Sequence, residues 1–154
     1  MHNPNVNHAY LLKRLLRYIK WTLAFGLPIT KSTLQLRTFS DADWAGDPIT
    51  RKSTSGYCTF LGHNLISWTV KKQKIVSRSS TESEYRALAA ATADILWLQR
   101  LIADFRITSA EPTNLYCDNT SVIALAHNPV FQAQTKHIEI DHRFLRDNIQ
   151  NNSI

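Results

Sequence analysis

Hydrophobic residues recur with two different periods along the chain. Near the beginning they are spaced three and four residues apart with bases between them, which predicts a basic amphipathic helix over residues 8–24. Over residues 34–44 the hydrophobic and polar positions alternate, which predicts a strand that ends in acids before the turn at residues 46–48. The first third of the chain is therefore expected to contain a helix followed by a strand.

The same reading predicts six further elements. Strands are expected over 55–62 and 64–72, joined by a tight turn at Gly62 and His63. A long helix follows over 79–105, and its Ala-rich middle suits close packing on a sheet. A short strand over 114–119 leads into a helix over 121–129, and a last helix covers 138–149. A run of strands, a long helix and another strand indicates one α/β or α+β domain with a mixed sheet.

Composition and charge narrow the class of protein. Apolar residues make up 44% of the 154, and there are only 4 Gly and 5 Pro, which argues against disorder and low complexity. Cys58 and Cys117 have neither a CxxC pair nor a His at ligand spacing, so a reducing compartment fits better than a disulfide scaffold or structural zinc. No apolar run is long enough to span a membrane. The net charge of +6 comes entirely from the first forty residues, which favours a polyanionic partner or a solvated basic surface.

Three acids, Asp41, Glu84 and Asp118, stand at the ends of predicted elements. If the first and fourth strands are neighbours and the long helix packs on them, these carboxylates converge at one edge of the sheet. Converging carboxylates repel one another unless a cation lies between them, and ligand sets made only of oxygen suit Mg²⁺ or Mn²⁺. Asp43 lies on the same strand face as Asp41, whereas Glu82 should point elsewhere on its helix.

Each of these acids also has a structural interpretation. Asp41 could belong to a turn, Glu84 could form a capping box with Thr81, and Asp118 could cap the helix that follows it. Similarly, Trp44, Trp68 and Trp97 could be core residues or platforms for base stacking, and we expect them to lie in the core.

Five strings, taken in order, are more specific than any single acid: SDADWAGD, STSGY, SSTESEYRALA, LYCDNTSVIALAHNP and TKHIEID. They resemble the ribonuclease H domain of copia-type LTR retrotransposon polyproteins over most of residues 37–149. The opening HAYLLKRLLRYIKWTLAFGL resembles the connection that joins such a domain to the preceding reverse transcriptase, and no YVDD-like polymerase motif is present. The resemblance implies a basic connection helix and linker at 1–33 and an α/β, ribonuclease H-like domain at 34–154, with a mixed sheet flanked by helices.

The resemblance also implies a function. In such domains the acids that match Asp41, Glu84 and Asp118 hold two Mg²⁺ ions, or Mn²⁺, which activate a water and stabilise the leaving 3′ oxygen as the RNA strand of an RNA/DNA hybrid is cut. The implied partners are the hybrid and the reverse transcriptase portion of the same polyprotein, in a cytoplasmic virus-like particle or the nucleus, without membrane or secretion. A basic run after the hairpin could contact the phosphates or could be a solvated strand end: Lys71, Lys72, Lys74 and Arg78.

Two features depart from the family pattern. The family usually has His where this chain has Arg143, and it continues with a fifth strand and a final helix that carries a fourth acid. Both would lie beyond Ile154, so we expect an incomplete domain. The cluster His137, Glu139, Asp141 and His142 has metal-ligating residue types, but the family places this string on a helix away from the metals. Three hypotheses follow: a ribonuclease H domain, a non-catalytic remnant that at most binds nucleic acid, and an unrelated basic module.

Overall fold

The computed structural model describes residues 3–107, 111–127 and 139–154. Helices and strands occur in nearly the predicted order and positions. They are α1 (Val6–Thr22), β1 (Leu36–Asp43), β2 (Thr54–Leu61), β3 (Asn64–Lys72), α2 (Ser80–Asp104), β4 (Asn114–Tyr116), α3 (Thr120–His127) and α4 (Glu139–Gln150).

The four strands form a mixed sheet in the order β3-β2-β1-β4. β1 pairs antiparallel with β2, and β2 with β3, whereas β1 and β4 are parallel. The predicted hairpin between β2 and β3 is confirmed, and Gly62 takes the left-handed conformation (φ 61°) that its turn requires. Within the described residues the sheet has no fifth strand, and this α/β architecture of a mixed sheet with helices matches the predicted fold class.

Alternation along β1 creates two unlike sheet faces. Leu36, Thr38, Ser40 and Ala42 are buried, while Phe39 and its alternating neighbours on the other face are more exposed. α2 lies on β1 and β2, and α3 and α4 pack against α2. Small residues in the middle of α2, including Ala87 and Ala91, are fully buried, so the Ala-rich segment brings this helix close to its neighbours as predicted. The main apolar cluster joins the three helices through Tyr85, Leu88, Val122, Ala126 and Leu145.

The amphipathic helix α1 forms as predicted but has no buried residue. Its apolar positions are about half exposed: Leu11, Leu12, Leu15, Leu16 and Ile19. No described helix combines the length and the apolar character that a bilayer crossing needs.

The placement predicted for three tryptophans is wrong. Trp44, Trp68 and Trp97 are 46%, 57% and 57% exposed, so they are not core residues. Trp68 lies on β3 opposite Cys58, and Cys58 lies opposite Phe39 in β1. Phe39 in turn stacks on Tyr116 with ring centroids 4.8 Å apart. The sheet face away from α2 is therefore rich in exposed aromatic rings.

Candidate metal centre

Parallel pairing of β1 and β4 brings Asp41 and Asp118 to the same edge of the sheet. Phe39 pairs with Tyr116, Asp41 lies two residues after Phe39, and Asp118 lies two residues after Tyr116. Because neighbouring strands run about 4.8 Å apart, this register brings Asp41 near Asp118, which lies just beyond the end of β4. Both residues are exposed, so both can reach a ligand in solvent.

Glu84 approaches this edge from the second turn of α2. Its side chain is buried, with 6% of the residue exposed, and its Oε2 has no hydrogen-bond partner in the described parts of the chain. Burial is the main cause that raises the pKa of Glu84 to about 7; the charges of Asp41 and Asp118 act in the same direction, and the backbone N–H of Ala42 opposes them. Asp41 and Asp118 are thus close enough to disfavour the charged form of Glu84.

Cys117, which sequence reasoning did not single out as a ligand, lies with Glu84 and Asp118 in a group of ligand atoms that does not include Asp41. Among the described residues, one ligand atom each from Glu84, Cys117 and Asp118 lie within 4.8 Å of one another. The Cys117 sulfur accepts the backbone N–H of Asn119 at 3.4 Å, and burial raises the pKa of the thiol. The only sequence signal was its position beside Asp118 at the end of a predicted strand.

None of the three acids has the cap or turn role considered for it. Helix α2 is capped by Ser79, whose side chain accepts the N–H of Glu82 at 3.1 Å, so Thr81 and Glu84 form no capping box. Glu82 instead accepts hydrogen bonds from the Arg78 backbone N–H and the Arg86 guanidinium, both at 2.8 Å. Glu82 therefore points away from the metal candidates, as its helical position predicted.

The caps and turns near the other two acids use different residues. The Asn119 side chain, not that of Asp118, accepts the N–H of Val122 at the start of α3 (3.1 Å). Asp41 lies within β1 opposite Gly56, and the following turn is held by Asp47, which accepts the backbone N–H groups of Ile49 and Thr50. Asp41 and Asp118 are therefore free of the cap and turn roles considered for them.

Asp43 is on the same exposed face of β1 as Asp41, as predicted. Its carboxylate lies against Gly46, where a Cβ would collide with it. The Asp43 carboxylate therefore lies beside the turn, in space that the lack of a Cβ at position 46 leaves open.

The basic run after the hairpin lies partly on a surface cleft. Lys71, Lys72 and Lys74 line an open cleft of about 440 Å³ between the end of β3 and the faces of α2 and α4. Lys72 forms a salt bridge with Asp47, which neutralises part of this basic surface. Arg78 is exposed just before α2. Contact of these residues with nucleic acid stays a prediction.

The described part of the cluster on the last helix does not resemble a metal site. His142 is buried and stacks on Tyr85 with ring centroids 5.7 Å apart, and its Nε2 lies 3.2 Å from the Leu125 carbonyl oxygen. His137 lies outside the described residues. Arg143, which departs from the family pattern, has an exposed side chain with Nε 4.0 Å from Asp147.

Comparison with known proteins gives sequence matches that cover the whole of this chain. The chain is 44% identical over 155 residues to a retrovirus-related Pol polyprotein from the Arabidopsis thaliana transposon RE1, and 34% identical over 154 residues to that from the Nicotiana tabacum transposon TNT 1-94. Each match covers 100% of this chain, which spans 11% and 12% of the two polyproteins, respectively. No protein-family model matches the chain.

A solved structure has the same fold. The N-terminal RNase H domain of a Mycobacterium tuberculosis protein, solved as a fusion with maltose-binding protein, superimposes with a TM-score of 0.52 at 13% identity. The match covers 75% of this chain and 76% of that chain. At this identity the likeness concerns the fold, namely a mixed sheet flanked by helices.

Proposed function

Because the chain belongs to the ribonuclease H domain family of copia-type retrotransposon polyproteins, we propose that it is the metal-dependent endonuclease domain of such a polyprotein and hydrolyses the RNA strand of RNA/DNA hybrids. The observation that carries this proposal is the Glu84 carboxyl group. It is buried, one of its oxygens is unpartnered within the described residues, and two further carboxylates lie beside it.

The donor atoms fit a divalent cation. An unpartnered buried carboxylate oxygen costs free energy that a bound cation would recover, and carboxylate oxygens are the ligands that Mg²⁺ and Mn²⁺ prefer. Glu84 would contribute from beneath the sheet edge, with Asp41 and Asp118 on the solvent side. When bound, such ions supply Lewis-acid activation of water and neutralise charge on the scissile phosphate.

The protein's own groups have separate tasks in this proposal. Asp41 lies on β1, and Asp118 lies two residues beyond the end of β4, so the β1–β4 register brings the two carboxylates to the same edge of the sheet. Glu84 must lose its proton to become a ligand, and its raised pKa makes that loss pH dependent. Lys71, Lys74 and Arg78 would hold the hybrid through phosphates, with Lys72 contributing less because of Asp47.

We further assign residues 1–33 as a connection helix and linker toward a reverse transcriptase portion of the same polyprotein, and 34–154 as the ribonuclease H-like domain. The exposed apolar positions of α1 support this assignment, because an amphipathic helix without a buried face can pack on another segment.

The first test measures metal binding and does not depend on cleavage. Mn²⁺ or Mg²⁺ should raise the melting temperature of the wild-type chain, and Asp41→Asn or Asp118→Asn should abolish that rise. Both variants change exposed residues, so their folding should survive without metal. An equal rise in wild type and both variants would remove these acids from the metal centre.

The second test measures cleavage of a hybrid labelled on each strand. The 154-residue chain is compared with the same chain extended by the segment that follows the matching region in the Arabidopsis relative. We expect the extended chain to cut only the RNA strand, the shorter chain to cut weakly or not at all, and Glu84→Gln to abolish cutting in both. Hybrid binding without cutting by the extended chain would instead favour a non-catalytic remnant.

A further inference from the structure

We propose that Glu84, Cys117 and Asp118 form a mixed thiolate and carboxylate site that binds a soft divalent cation, Zn²⁺ or Cd²⁺, more tightly than Mg²⁺ and so blocks the proposed metal centre. The proposal deepens the proposed function, since the two sites share Glu84 and Asp118. It predicts a nuclease that is inhibited by thiophilic metals.

Geometry is the first argument. One ligand atom from each of the three residues lies within 4.8 Å of the others. A tetrahedral Zn²⁺ with bonds of about 2.0 Å to oxygen and 2.3 Å to sulfur holds its ligand atoms about 3.5 Å apart. Closing the site therefore needs side-chain shifts of about 1 Å, and Asp118 is exposed and can make them.

The Glu84 carboxyl group independently points to a cation site. Glu84 is more than nine-tenths buried, and no hydrogen-bond partner for its Oε2 is found among the described residues. Burial of an unsatisfied carboxylate oxygen is costly, so a cation bound there would be favoured by the existing fold.

The thiolate of Cys117 is a soft ligand, and this favours a soft cation over Mg²⁺. Thiolate ligands select Zn²⁺ and related soft ions, whereas Mg²⁺ is bound by oxygen alone. Cys117 is partly buried against the apolar cluster at the end of β4, so its sulfur is held beside the carboxylates by the sheet. On binding, the thiol releases its proton to the buffer and the sulfur–metal bond forms, with no change in oxidation state.

The test titrates the metal-free chain with Cd²⁺ and follows the ultraviolet charge-transfer absorption of the cadmium–thiolate bond. We expect one Cd²⁺ per chain, with the band retained in Cys58→Ser and lost in Cys117→Ser. Cys58 is the matched control, because it is the other free cysteine and lies on β2 opposite Phe39. Asp118→Asn and Glu84→Gln should keep the thiol but weaken Cd²⁺ binding about tenfold or more.

A band that depends on Cys58, or one unaffected by both carboxylate variants, would overturn the proposal, as would the absence of any band. Circular dichroism confirms that each variant is folded, and Cys117→Ala provides a second variant if Cys117→Ser is not. Failure of the proposed function has a different signature. If Cd²⁺ binds as expected but Mg²⁺ neither competes with it nor stabilises the chain, the thiolate site stands and the magnesium centre does not.

Discussion

At the scale of single residues, Glu84 couples folding to protonation. Folding transfers its carboxyl from water to a site where burial and the charges of Asp41 and Asp118 favour the protonated form. The metal that we propose requires the opposite form. Proton and cation therefore compete for one oxygen pair, and the outcome depends on pH.

The first prediction concerns stability without metal. The pKa of Glu84 is raised from 4.5 to about 7, so between these values the native state binds more protons than the unfolded state. Stability should therefore be highest below about pH 4.5 for this group and fall by about 1–3 kcal/mol as pH rises through 7. Glu84→Gln should flatten this part of the profile, measured by urea unfolding in a chelator.

Glu139→Gln is the matched control, since Glu139 is an exposed glutamate on α4. It should leave the pH dependence of stability as in wild type. If Glu84→Gln and wild type lose stability in parallel from pH 4.5 to 7, the carboxyl is not held in the environment described above.

At the scale of secondary-structure elements, the metal centre depends on how α2 is tied to the sheet. The Gln73 side-chain amide donates to the Ser55 hydroxyl at 2.9 Å and to the Ser83 carbonyl at 3.0 Å, and its carbonyl accepts from the Ser77 hydroxyl at 2.7 Å. Ser83 precedes Glu84, and Ser55 pairs with Ala42, which follows Asp41. Gln73 therefore links α2, which carries Glu84, to β2, the strand that pairs with the Asp41-bearing β1.

The second prediction uses Gln73→Ala. Loss of this link should weaken Mn²⁺ binding about tenfold by letting the start of α2 shift, while stability falls by about 1–2 kcal/mol. Gln99→Ala is the matched control, since Gln99 ties the other end of α2 to Thr113 and Ser153. It should cost similar stability and leave Mn²⁺ affinity unchanged. Calorimetric titration with Mn²⁺ measures the affinity of both variants. Equal losses of affinity would mean that Gln73 stabilises the fold without specifically positioning the metal centre.

The spacing of hydrophobic residues predicted the helices and strands well, because the pattern that marks a buried face is encoded within each segment of the sequence. β3 begins and ends as predicted, and α2 differs from its predicted range by one residue at each end. The cap of α2 was harder to predict, because Ser79, Ser80 and Thr81 are all residue types that cap helices well. In the structure Ser79 is the cap, and Glu82 forms local hydrogen bonds with the Ser79 side chain and the Arg78 backbone. β4 ends at Tyr116, earlier than the predicted residue 119, since pairing with β1 stops there.

The candidate site was less accessible to sequence reasoning than the fold. The prediction that acids at element ends converge depended on an assumed strand order, in which the first and fourth strands are neighbours, and the structure has that order. The approach of Cys117 to the carboxylates depends on the β1–β4 register, and that pairing involves residues distant in sequence. The exposure of Trp68 and of α1 likewise depends on which partner covers each surface, which hydrophobicity alone does not specify.

At the scale of the whole molecule, the distribution of charge should determine how the chain meets a polyanion. Two basic surfaces are available: the run at the end of β3, and α1 with Lys13, Arg14 and Lys20. Counterion release makes the affinity for a hybrid fall with salt in proportion to the phosphate contacts.

The third prediction separates these two surfaces. Joint replacement of Lys71, Lys72 and Lys74 by Gln should reduce the slope of log affinity against log salt by about two, because Lys72 is already paired with Asp47. The control replaces Lys13, Arg14 and Lys20 by Gln, with the same change in charge, and should leave the slope nearly unchanged. A reversed pattern in a fluorescence anisotropy titration would place the hybrid on α1.

The sheet order has a consequence for folding kinetics. β1, β2 and β3 are joined by consecutive antiparallel pairings, whereas β4 reaches β1 only after the long helix has been traversed. Because closing the long loop costs entropy, we expect this parallel pairing to form late, with Asp118 meeting Asp41 after the folding transition state. A cation bound between them should then slow unfolding and leave the refolding rate nearly unchanged. The cation would therefore add kinetic stability only to the native state, in which the metal centre is complete.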